Sequence, residues 1–325
     1  MTDTHLSTKR ILIFLALTFG ITWTADVVLR LTVGVHDLFK AGLLANYIFA
    51  IWTPALASVA TRLITKEGGG HLMLRPNFRR GWRSYLAAWL LPPLVVIVGA
   101  ALYYLLFPQS FDPNLGAARS QLASLPPLAS WVPAAGSGAV FLALLLWIMI
   151  VLVPVYALLS LGEELGWRAY LLPKLMERFA GAPAGDPAPA GGRYTAAARK
   201  AALLIGLIWG VWHLPAHFLY TPGTTLLPEL LFIVATCCLS VLLCWVTLRS
   251  GSVWPAAVGH GAHNNALAFP IFSLKGPASP LLGPAGGLIG GIGYLALALV
   301  LLFSRSAFAG KEVAGPEKEP AVVGA

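Results

Sequence analysis

Charge is scarce in this sequence. Of its 325 residues, 11% are Asp, Glu, Lys or Arg, less than half of the roughly 25% usual in soluble domains. Hydrophobic residues make up 58%, above the roughly 45–50% of a soluble chain, and the mean hydropathy is +0.76. These proportions exclude a soluble globular enzyme and a disordered chain. Acidic residues are the scarcer sign, 13 against 22 Lys and Arg, for a net charge of +9. That excess does not point to nucleic acid, because the basic residues lie between apolar blocks, where they act as topology signals at a membrane. Cysteine is nearly absent. Cys237, Cys238 and Cys244 share one apolar run, lack metal-ligand spacing and read as buried small hydrophobes. There is no internal repeat of the inverted-transporter kind.

What the chain has is long apolar blocks. About 20 apolar residues cross a bilayer as a helix, and eight blocks qualify: 10–32, 43–64, 84–107, 138–161, 201–220, 228–248, 253–271 and 284–304. The fold expected is all-α, a polytopic membrane protein with about eight transmembrane helices. The first block follows Lys9 and Arg10 as a signal peptide would. It runs on past Asp26 without a small-x-small cleavage site, so it reads as a retained helix. Asp26 is expected near the far interface, where a carboxylate costs little. The seventh block is the least apolar and must face protein or water rather than lipid.

With the N-terminus inside, only Arg30, Lys40, Arg119 and Lys275 fall in outside segments, and the other eighteen of the 22 Lys and Arg fall inside. This asymmetry predicts that both termini are cytoplasmic, in a chain integral to the cell membrane. The expected organisation is a cytoplasmic N-terminus at 1–9, a membrane domain at 10–305 with its motif core at 150–270, and a disordered cytoplasmic tail at 306–325. Residues 108–137 form a long outside connection, and 181–193 a low-complexity cytoplasmic linker.

Ionisable residues inside spans are functional candidates, because inserting one costs about 2.5–3.5 kcal/mol or more. Three short clusters hold them. The first is Glu163-Glu164-Leu165-Gly166-Trp167-Arg168, at the expected cytoplasmic end of the fourth span. Glu164 and Arg168 are i,i+4 in the favourable order for an ion pair, whereas Glu163 is rotated about 100° away and is free to act as a base. The second cluster includes Trp209, His213, Pro215 and His217. Its two histidines at i,i+4 do not make a zinc-protease helix, which needs a glutamate where Leu214 stands. The third is His260-Gly261-Ala262-His263-Asn264-Asn265, with His260 and Asn264 on one face and small residues that allow close helix approach. Alone, the first cluster reads as an interfacial ion-pair network and either histidine of the second as a packing residue, while the third reads as polar glue between helices as readily as a functional group. Together they must converge, because lipid satisfies none of them. A glutamate beside a neutral imidazole activates water, and a second imidazole with an amide stabilises an oxyanion. No serine or cysteine accompanies a base, which argues against a covalent mechanism.

In order and spacing, Glu163-Glu164-xxx-Arg168, Trp209-xxx-His213 and His260-xxx-Asn264 resemble the motifs of the CPBP family. These are intramembrane proteases that include type II CAAX prenyl endopeptidases and bacteriocin-processing proteins. The resemblance covers about residues 150–270 and implies an eight-helix fold. It also implies Glu163 as the base that activates water and His213 as its partner. His260 and Asn264 would stabilise the oxyanion, and Glu164 and Arg168 would orient the site. Trp209 departs from the family's usual phenylalanine, and His217, His263 and Asn265 lie outside the pattern. Members are often called metalloproteases, which would make Glu163, His213 and His260 zinc ligands with an open position for water. The same residues work without metal, and no cofactor is the expectation. The substrate implied is a membrane-anchored or prenylated peptide, cleaved in a cavity open toward the cytoplasmic half of the bilayer, with no nucleic-acid partner. The competing readings are a transporter or proton-coupled channel, and a non-catalytic membrane binding partner of the same fold.

Overall fold

The computed structural model describes residues 3–32, 42–68, 72–123, 151–181, 192–221 and 223–309, together with positions 136, 138 and 147. Its elements are helical: α1 (Asp3–Thr32), α2 (Gly42–Ile64), α3 (Phe78–Leu106), α4 (Gly116–Ala123) and α5 (Val153–Glu164). A π-helical run, Leu165–Leu171, leads into α6 (Leu172–Ala180). Then follow α7 (Gly192–Tyr220), α8 (Leu226–Ser250), α9 (Trp254–Ala266), α10 (Ala268–Phe272) and α11 (Leu288–Phe303). The expected linker and tail fall largely, and residues 139–146 of the fourth block wholly, outside the described residues.

Four helices are long and apolar enough to cross a membrane: Leu6–Thr32, Phe78–Leu106, Arg193–Tyr220 and Leu226–Ser250. Phe49–Ile64 and Leu288–Phe303 are shorter apolar helices. Eight full spans are therefore not what the described residues show. The seventh block differs most. It is not one helix over 253–271 but the 13-residue α9, a break at Leu267 and the five-residue α10. At 1.5 Å per residue α9 is about 20 Å long, too short for a lipid-facing span, and nine of its residues are buried in the bundle.

Local sequence sets that placement. Gly251, at φ +64°, caps α8 in the left-handed conformation, its N–H bonding Thr247 O at 2.8 Å. Pro255 lies in the first turn of α9, where its missing N–H costs nothing. Helix α9 thus starts directly after α8 stops, and it packs chiefly against α5 and α3. Gly261 permits this approach: a Cβ there would lie 2.4 Å from the backbone nitrogen of Ala157 on α5. Asn77 fastens the start of α3 to the same turn, its Nδ2 donating to Ser250 O and Gly251 O at 3.1 Å each.

One end of the bundle is closed by charge. Glu67, in the α2–α3 connection, receives Lys174 of α6 at 2.5 Å, Arg10 of α1 at 3.4 Å and Arg62 of α2 at 3.8 Å. Tyr170 O–H also donates to it, at 3.2 Å. Burial pushes the Glu67 carboxyl up, but the Lys174 hydrogen bond and the Lys174, Arg10 and Arg62 charges outweigh it and hold the carboxyl below the usual glutamate range. Between this clasp and the candidate site lies the apolar core, with Phe14, Trp167, Tyr170, Leu172, Ile205 and Leu242 buried.

Candidate active site

Helices α5, α7 and α9 each contribute one motif to a single cavity of about 570 Å³, whose wall includes Glu163, Trp209, His213, His260 and Asn264. The three clusters converge, as the cost of leaving them in lipid requires. Their connections are more specific than spacing alone foretells.

Glu164 is fully buried and forms an ion pair with the fully buried Arg168, Oε1 to Nη1 at 2.9 Å. The i,i+4 contact survives the π-helical winding of residues 165–171, the kind of irregularity that recurs at functional sites. The same Oε1 also meets His260 Nδ1 at 2.9 Å. Because a carboxylate only accepts, Nδ1–H donates, and the other ring nitrogen of His260 is left for the cavity. Arg168, Glu164 and His260 thus form a buried chain that orients the imidazole.

Glu163 is bonded differently. Its Oε2 accepts from Trp209 Nε1–H at 2.5 Å, and Oε1 has no donor among the described residues. Trp209 is itself buried between two site residues: the Arg168 guanidinium lies 4.5 Å from the centre of its ring, and His260 meets it edge-on at 4.9 Å. His213, the implied partner of Glu163, bonds through Nδ1 within its own helix, to Trp209 O at 2.8 Å. A carbonyl cannot donate, so Nδ1 carries the proton and Nε2 of the neutral ring is an acceptor. The motif marks Trp209 only as a departure from phenylalanine. The signal for its larger role was the departure from phenylalanine, since an indole N–H can donate and a phenyl ring cannot.

Asn264 lines the cavity, and its amide has no protein partner among the described residues. Asn265 is buried. His263 and His217 also line the cavity, but each has a partner: His263 Nδ1 to Tyr294 Oη at 2.7 Å, and His217 Nδ1 to Glu229 Oε2 at 2.7 Å.

The helix does not stop near Glu163. The helical chain continues through Arg168 and Leu172 to Ala180, so Glu163 lies eleven residues, about 16 Å, short of Lys174 in the clasp. Asp26 is not at an exposed interface: it is 3% exposed and lines the same cavity as Glu163. Along α1 the wall includes Thr22 and Asp26, and along α7 it runs from Trp209 to Tyr220. The cavity therefore extends from Glu163 away from the Glu67 clasp.

As a zinc site the residues do not fit. Among the described residues no three His, Cys, Asp or Glu side chains assemble into a metal-holding group. Glu163, His213 and His260 share the cavity wall, and their bonds to Trp209 and Glu164 engage Glu163 Oε2 and the two Nδ1 atoms.

No curated protein matches the chain. Residues 139–266, which hold all three motifs, match the family model described as Rce1-like, type II CAAX prenyl endopeptidase Rce1-like, in agreement with the CPBP resemblance of the motifs.

Proposed function

We propose that this integral membrane protein is an endopeptidase that cleaves a membrane-anchored or prenylated peptide with a water molecule activated by Glu163. The observation that carries the reading is the meeting of Glu163, His213, His260 and Asn264 at one cavity inside the bundle. A water there donates one hydrogen bond to Glu163 Oε1 and the other to His213 Nε2, which is an acceptor because Nδ1–H is committed to Trp209 O. As water oxygen attacks the scissile carbonyl, Glu163 takes its proton and then passes it to the leaving nitrogen. The Asn264 amide donates to the developing oxyanion, joined by His260 when its Nε2 carries a proton. Glu164 and Arg168 hold His260 in register. No step uses a metal, in keeping with the ligand geometry.

A transporter would place polar groups through the full membrane depth. Here the Arg10 end is sealed by the Glu67 clasp and the apolar core behind it. The Lys/Arg asymmetry supports cytoplasmic termini, which would direct the cavity toward the outer half of the bilayer.

The test is cleavage of farnesylated and transmembrane peptides by the protein in lipid nanodiscs. Glu163→Gln keeps volume and removes the base, so turnover should fall by about 10²–10⁴-fold with the unfolding midpoint unchanged. Asn264→Ala should fall by about 10²–10³-fold, and chelation should leave the wild type active. Full turnover by Glu163→Gln overturns the mechanism, and restoration of a chelated enzyme by zinc overturns its metal-free form.

A further inference from the structure

Asp26 is the one residue of the cavity wall that the three motifs do not explain and the sequence places elsewhere. It is 3% exposed, and no hydrogen bond or ion pair reaches its carboxylate among the described residues. Tyr220 approaches it, but the hydroxyl donates to the Asp26 backbone carbonyl at 2.7 Å, not to the side chain. Arg30 lies one turn further along α1 and forms no ion pair with Asp26 among the described residues. The nearby cationic candidate in the cavity, His217, is taken by Glu229 at 2.7 Å. One turn earlier on the same wall, the buried Thr22 hydroxyl also lacks a partner. Two acceptors on one face of α1, at i and i+4, thus have no donor among the described residues.

A carboxylate that is nearly all buried and faces only a cavity inside the bundle is incompletely solvated, which is costly. A ligand that brings N–H donors and positive charge relieves that cost, whereas a carboxylate or phosphate would be repelled by both Asp26 and Glu163. We propose that Asp26 is a recognition residue for a cationic group of the substrate, a Lys or Arg side chain of the peptide bound across Glu163. This rests on the peptidase reading and names the chemistry that its substrate presents at the end of the cavity far from the Glu67 clasp. An ammonium or guanidinium there bonds the Asp26 carboxylate and has the Thr22 hydroxyl as a second acceptor. Substrates are thereby sorted by charge as well as by their lipid anchor.

The experiment uses full-length protein silenced by Glu163→Gln in nanodiscs and a series of fluorescent farnesylated peptides. The peptides differ only in carrying Gln or Lys at one position at a time on either side of the scissile bond. At one register the Lys peptide should bind about 10- to 100-fold more tightly than its Gln counterpart, the range of a hydrogen bond to a charged group. Asp26→Asn should abolish that preference without lowering the unfolding midpoint, and Asp26→Glu should retain part of it. Equal binding of Lys and Gln peptides at every register, or a preference that persists in Asp26→Asn, overturns the proposal. Cleavage of the Gln peptides by the wild type, measured in parallel, tests the peptidase reading separately: if they are cleaved but no charge preference is found, only the Asp26 assignment fails. Absence of both binding and cleavage overturns both.

Discussion

Trp209 holds Glu163. Its indole Nε1–H lies 2.5 Å from carboxylate Oε2, while its own backbone carbonyl accepts from His213 Nδ1 at 2.8 Å. One residue therefore orients both groups that would share the attacking water, through its side chain on one side and its main chain on the other. Trp209→Phe keeps the ring under Arg168 and deletes only the N–H. Loss of a hydrogen bond to a charged group should lower kcat by about 10- to 100-fold, leaving KM and the unfolding midpoint near wild type. A fall in the unfolding midpoint without a change in kcat would make Trp209 a packing residue and nothing more.

Arg168 is fully buried against Glu164. Removing one member of a buried pair strands the other and typically costs about 3–5 kcal/mol. Arg168→Gln should therefore lower the denaturation midpoint markedly. The double variant Glu164→Gln with Arg168→Gln, which leaves no stranded charge, should recover part of that stability. It should not recover turnover, because His260 loses the carboxylate that orients it. Thermal unfolding and peptide cleavage of the three proteins decide the matter. Recovery of turnover along with stability would show that the chain from Arg168 to His260 is structural only.

The Glu67 clasp gives the fold an acid limit. With its carboxyl held below the usual range in the folded protein, Glu67 binds protons more readily when unfolded. Its contribution is complete above the ordinary glutamate value of about 4.3 and is lost as pH falls through the folded value. The unfolding midpoint should therefore drop as pH is lowered through that window, and Glu67→Gln should flatten the dependence. At neutral pH the same substitution should cost about 1–3 kcal/mol, since it removes the shared partner of Arg10, Arg62 and Lys174. An unchanged acid profile in Glu67→Gln would assign the limit to other carboxylates.

Much of this protein is legible without coordinates. The shortage of charge and the apolar blocks determine a helical membrane protein, because a continuous apolar block of about 20 residues matches a helix that satisfies its own backbone, whereas barrel strands are about half that length. Helical register determines the Glu164–Arg168 contact, since residues four apart share a face. The expense of isolated polar groups in lipid foretells that motifs on α5, α7 and α9 meet in one place.

Partner choice within the cavity was decided only by the tertiary structure. Whether Glu163 bonds to His213 or to Trp209, and whether His260 faces the oxyanion alone or is held by Glu164, depends on how helices far apart in sequence rotate and slide against one another. Hydropathy carries no information on rotation. It likewise counted 253–271 as a span, although a glycine stop, a proline start and the close approach at Gly261 make α9 a short helix inside the bundle. Asp26 shows the same division. Its position on α1 is written in the sequence, but its burial against a cavity rather than at an interface follows from α7 packing beside α1, where Tyr220 reaches its backbone carbonyl. Composition and period report which residues must leave water or lipid. The contact between helices decides what each of them finds there.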